Sequence, residues 1–217
     1  MKLRKAWLFL PVLLLATAVH ADSVTMKFTG VNGAHDRHYY VSPYFGTMNG
    51  APVTLFCVDL ANSVHFGQVW QANLTTITNG SNLSHTRYGS MSNALALYQQ
   101  AAWLVAQFPS HPTDYVNLQY ALWNLFNPSR APDTGGSNSW LALAAANYGS
   151  MNFQSFRVVT NVGPVRRTGQ VQEFITTVPA APMPEPATLA LFGTGLFGVA
   201  TVVRRQTRRA VGHGAKK

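Results

Sequence analysis

The stretch "SMSNALALYQQAAWLVAQF" (residues 90–108) decides the fold class. It places Met91, Leu95, Tyr98, Ala102, Val105 and Phe108 at helical spacing, with Ser90 as the expected cap and Pro109 as the stop. What precedes it reads as strand. "SVTMKFTG" (23–30) alternates and is β-branched. "HYYVSPYFGTM" (38–48) and "PVTLFCVDL" (52–60) flank Asn49-Gly50, a hairpin signal because both residues tolerate positive φ. "FGQVWQANLTTI" (66–77) suggests another strand, and a polar loop follows it.

Working forward from the same stretch, "TDYVNLQYALWNLF" (113–126) predicts a second helix. Thr113 is its expected cap, Asp114 lies in its first turn and Pro128 follows it. "SNSWLALAAANYG" (137–149) predicts a third helix, ending at Gly149. Strands resume in "FQSFRVVTNV" (153–162) and "QVQEFITTV" (170–178). Strands, helices and strands again imply an α+β domain: an antiparallel sheet or sandwich with a three-helix insert, the first and last strands sharing a sheet. No internal repeat is visible.

The two ends of the chain differ from this body. Lys2, Arg4 and Lys5 precede an apolar run from Ala6 to Val19, broken only by Pro11 and Thr17. Val19-His20-Ala21 then offers small residues at a cleavage site, so residues 1–21 read as a secretory signal helix cut after Ala21, with Ala18 the second choice. Residues 22–178 are the expected exported domain and residues 179–183 a Pro/Ala linker. Beyond it, Pro184-Glu185-Pro186 introduces an uncharged run from Ala187 to Val203, closed by Arg204, Arg205, Arg208 and Arg209. As a helix the run would measure about 26 Å, slightly under a hydrocarbon core of about 30 Å. It reads as a C-terminal transmembrane helix (187–203) with a stop-transfer basic tail (204–217).

The formal charge of +9 suggests nucleic acid until it is located. Nine of the basic residues lie in the two terminal segments, and between Asp22 and Glu173 seven bases face six acids. A nearly neutral body has no phosphate-tracking stripe, so no nucleic-acid partner is expected.

The order of parts at the C-terminus resembles the PEP-CTERM sorting signal of exported bacterial proteins. The resemblance implies exosortase, a membrane protease-transpeptidase, as a partner after signal peptidase. It implies an inner-membrane intermediate and delivery to the cell envelope or extracellular matrix of a Gram-negative bacterium. A plain single-pass anchor is the alternative. The signal departs from the common pattern at Met183, where valine is usual, and in its tail "AVGHGAKK".

Cys57 is the sole cysteine, so no intrachain disulfide forms and the thiol is buried, paired with another chain or used chemically. It stands in "LFCVDL", on an expected strand, while Gln119 stands in "LQYALW", near the middle of an expected helix and one turn before Trp123. A shielded thiol beside a carboxamide can displace ammonia and leave an internal thioester. Phe56-Cys57 and Gln119-Tyr120-Ala121-Leu122-Trp123 are similar to the paired motifs of the thioester domains of Gram-positive surface adhesins. There a cysteine bonds to the glutamine of a Gln-x-Ala-Ile/Val-Trp motif and the domain captures surface amines covalently. Leu122 and Leu118 depart from that pattern. The resemblance implies a surface adhesion module with a Cys57–Gln119 bond, supported by Phe56, Ala121 and Trp123.

Other constellations are weaker. His35, Asp36 and His38 lack a third assignable metal ligand, so neither metal nor cofactor is expected. Cys57 with His65 and Asp59 imitates a nucleophile triad without an oxyanion-hole motif, so no enzyme is expected. Trp70, Trp103, Trp123 and Trp140 either line a sugar-binding cleft or form core. A structural or polysaccharide-binding matrix protein with an inert cysteine therefore stays open.

Overall fold

The computed structural model describes residues 23–162 and 171–178. Six strands form a closed, wholly antiparallel barrel: β1 (Ser23–Val31), β2 (Tyr44–Met48), β3 (Ala51–Cys57), β4 (Val69–Thr76), β5 (Phe156–Asn161) and β6 (Phe174–Thr177). Around the barrel the order is β1-β2-β3-β6-β5-β4, and β4 pairs back onto β1. The expected antiparallel sheet with three helices is present, but instead of a sandwich the sheet closes on itself as a barrel. The first and last strands do share the sheet, but they are not neighbours.

Local chemistry explains the strands. β1 buries Val24, Met26 and Phe28 and exposes Ser23, Thr25 and Lys27, the period-2 pattern of a barrel wall. Asn49 (φ 49°) and Gly50 (φ 84°) turn β2 into β3, as both left-handed conformations of a tight hairpin require. The expected strand 38–48 is shorter: residues 38–43 form an irregular segment that ends in a cis Ser42-Pro43 bond before β2 begins.

Three helices follow β4: α1 (Ala94–Gln107), α2 (Tyr115–Phe126) and α3 (Gly135–Asn147). α1 starts four residues after Ser90, with Asn93 at its N-cap, and its buried face runs through Ala94, Leu97, Tyr98, Ala101, Ala102, Leu104 and Val105. Met91 is left exposed by this register, and Leu95 only packs against the core's margin. Asp114 replaces Thr113 as the N-cap of α2. Thr134 caps α3 in a reciprocal capping box with Ser137, which sets its start two residues before the expected one. No helix among the described residues is long and apolar enough to cross a membrane. The expected signal helix (1–21), linker (179–183), membrane span (187–203) and basic tail lie outside the described residues.

Two apolar clusters share β3, β5 and β6. Leu55, Cys57, Val159 and Phe174 belong to the cluster that fills the barrel with Val24, Met26 and Trp70. Phe56, Val158 and Ile175 belong to the cluster formed with the helices. Alternation along β3 therefore sends Phe56 and Cys57 into different cores. α2 lies over this wall and supplies residues to both, Leu118, Ala121 and Leu122 to one and Tyr120 and Trp123 to the other.

Candidate functional site

Cys57 ends β3, fully buried, and Gln119 sits in α2, also fully buried. Gln119 and Trp123 are one turn apart and share a helix face. That face meets the end of β3. The Gln119 side-chain amide donates to the Cys57 carbonyl at 2.7 Å, and the Trp123 indole N–H donates to the Cys57 sulfur at 3.4 Å. The thiol itself donates to the Asp59 carbonyl at 3.4 Å.

Ser42 closes the site from the third side. Its backbone N–H donates to Gln119 Oε1 at 3.0 Å, and its hydroxyl accepts the Cys57 N–H at 2.9 Å. Both ends of the Gln119 carboxamide are thus fixed, oxygen toward Ser42 and nitrogen toward Cys57. The two expected residues are brought together with Trp123, whereas Phe56 and Ala121 face the helical cluster instead. Phe56 packs edge-on against Phe108 at 5.0 Å, and Trp123 is nearly inaccessible.

Burial pushes the Cys57 thiol up to about 12, opposed by the Trp123 hydrogen bond and reinforced by the nearby Asp59 charge. The same exclusion of water that would preserve a thioester thus keeps the thiol protonated at neutral pH.

The segment carrying Ser42 is docked on α2 by Asp36. Its carboxylate accepts the N–H groups of His38 (2.7 Å) and Tyr39 (2.5 Å) and the hydroxyl of Tyr120, the residue next to Gln119. Burial works against ionisation of Asp36, but the Tyr120 hydroxyl and the two amides outweigh it and leave its pKa lowered. Asp36 organises a loop, and no group of three or more metal-ligating side chains occurs among the described residues. Tyr39 then lies edge-on against Trp123, with ring centres 5.3 Å apart.

Asp59 does not orient a histidine. Its carboxylate pairs with Arg87 Nε at 2.8 Å and accepts from Ala61, Asn62 and Tyr88. His65 is exposed, on a surface groove, whereas Cys57 is fully buried. Beside this pair lies a charge that the sequence reading missed, Glu173. It is fully buried and accepts from Tyr98 and Thr160 (2.5 Å each) and from the Arg87 backbone (2.7 Å). Burial raises Glu173 to about 6, partly offset by those hydrogen bonds and by Arg87. The clue in the sequence is an acid inside the otherwise strand-like "QVQEFITTV".

The described part of the chain is thus an α+β domain, a six-stranded barrel with a three-helix layer and one fully buried cysteine–glutamine pair. A PEP-CTERM protein-sorting motif matches residues 184–209, spanning the Pro184-Glu185-Pro186 triplet, the apolar run and the arginines through Arg209. The motif implies exosortase as the processing partner and export across the membrane toward the cell envelope. Neither a curated protein nor a solved structure matches the chain.

Proposed function

We propose that the chain is a surface module delivered through its sorting motif to the envelope or matrix of a Gram-negative bacterium. Its body carries an internal Cys57–Gln119 thioester that captures amines. One observation supports the bond above all others. The Gln119 carboxamide is clamped between Ser42 and Cys57, with its carbonyl oxygen on a backbone N–H donor.

The chemistry balances without an oxidant. The Cys57 sulfur attacks the Gln119 Cδ, and the carbon–sulfur bond forms as the carbon–nitrogen bond breaks. The thiol proton leaves with the nitrogen as ammonia. Charge building on Oε1 falls on the Ser42 N–H, the geometry of an oxyanion donor. An incoming primary amine reverses the pattern: it takes the acyl carbon and returns the proton to sulfur. The module works once per bond and is not a turnover enzyme.

Exposure of the purified exported chain to methylamine should raise its mass by one methylamine and free one alkylatable thiol. Gln119→Ala should show no uptake. A wild-type chain that takes up no amine would contradict the covalent reading and leave a non-covalent matrix protein with an inert cysteine. Sorting is tested separately. Replacing Pro184-Glu185-Pro186 by alanines should leave the full chain in the membrane fraction, and unchanged release would favour a plain anchor.

A further inference from the structure

A groove of about 710 Å³ opens beside Trp123, within the size range of ligand sites. Its rim is aromatic and unusually open: Phe66 is 81% exposed, Tyr40 59% and Tyr39 42%. Tyr44 and Trp123, both buried, form its floor behind these rings. Asn62, Ser63 and Gln172 add amide and hydroxyl groups to the same lining. Among the described residues no aspartate, glutamate, lysine or arginine lines it, and its histidines are His38 and His65.

We propose that this groove binds a neutral polysaccharide, laying successive hexose rings along Phe66, Tyr40 and Tyr39. The chemistry of the lining selects that class. A pyranose presents an apolar C–H face that covers an aromatic ring and a hydroxyl edge that amides satisfy. Exposed rings with amides and a hydroxyl in one lining meet both needs. A charged glycan or a lysine-rich peptide would lose hydration here without a fixed counter-charge to replace it. A lipid chain would meet polar amides where it needs apolar enclosure. Trp70 and Trp123 are core, Trp103 and Trp140 pack on the helical cluster, and among the described tryptophans Trp123 borders the groove, behind Tyr39.

The site goes beyond the Cys57–Gln119 reading and does not depend on it, since saccharide binding needs the groove alone. Its place is nonetheless informative: Tyr39 on the rim packs on the indole whose N–H contacts the Cys57 sulfur.

Calorimetric titration of the purified exported chain with cello-, chito-, malto- and mannohexaose tests the inference. At least one hexasaccharide should bind, and Phe66→Ala should weaken it about tenfold or more, the equivalent of about 1.4 kcal/mol. Tyr40→Ala should act in the same direction. Phe45→Ala removes a ring that is 43% exposed but lies outside the groove, and should change nothing. Phe66 is so exposed that its replacement leaves the fold intact, which circular dichroism verifies. No binding of any of the four by folded wild-type chain, at up to about 10 mM and thus weaker than about −3 kcal/mol, overturns the proposal. So does binding insensitive to Phe66→Ala, or an oligolysine peptide that binds in the groove when no hexasaccharide does. Repeating the titration with Cys57→Ala separates the two claims: binding should persist there even though no thioester can form.

Discussion

Gln119→Ala is expected to destabilise the domain by about 2–5 kcal/mol while abolishing amine uptake. Truncation orphans the buried Ser42 N–H, which otherwise donates to Gln119 Oε1, at a cost of about 1–3 kcal/mol. That group has no route to water, because Ser42 and Gln119 are both fully buried. Loss of the cross-link adds to the effect, since the bond ties residues 62 apart in sequence and restricts the unfolded chain. Urea unfolding of wild type, Gln119→Ala and Cys57→Ala measures the difference. Cys57→Ala keeps the backbone carbonyl and N–H that hold Gln119 and Ser42, so it should cost less than Gln119→Ala. Equal costs would mean that the carboxamide clamp contributes little.

Arg87→Ala is expected to cost about 3–5 kcal/mol, the penalty for breaking a buried ion pair from one side. It removes the ion-pair partner of the buried Asp59 carboxylate, takes a positive charge from beside buried Glu173, and breaks the guanidinium contact to the Val171 carbonyl at 2.9 Å. The pH dependence identifies the group responsible. Glu173 is raised from 4.5 to about 6 in the folded chain, so the fold binds its proton more tightly than the unfolded chain does. Its favourable contribution is complete below about pH 4.5 and is lost as pH rises through about 6, a change of about 2 kcal/mol. Glu173→Gln removes this titration. Wild type should therefore lose stability relative to Glu173→Gln across that window. A constant difference between the two would place the titrating group elsewhere.

How much of this was legible in the sequence depends on how local each signal is. The Asn49-Gly50 hairpin and the three helices were readable because turn chemistry and helical spacing act over a few residues. The helix starts shifted because Asn93, Asp114 and Thr134 take the caps, and Thr134 does so through a reciprocal bond with Ser137. Barrel closure was not readable. It rests on β1 meeting β4 and β3 meeting β6, pairings fixed by long-range packing and not by any local pattern. Cys57 and Gln119 could be paired from their motifs. Ser42 could not, because its contribution to the carboxamide is a backbone N–H with no side-chain signature. The Asp59–Arg87–Glu173 cluster was hidden for a related reason. Each member looks like an ordinary charge until folding brings residues 86 apart within 2.7 Å.

The intact mass of the purified exported chain tests the central claim most directly. The account predicts a mass one ammonia below that of the sequence, restored to full value in Cys57→Ala and Gln119→Ala once the substituted atoms are counted. A wild-type chain of full mass whose single unfolded thiol alkylates freely would contradict it.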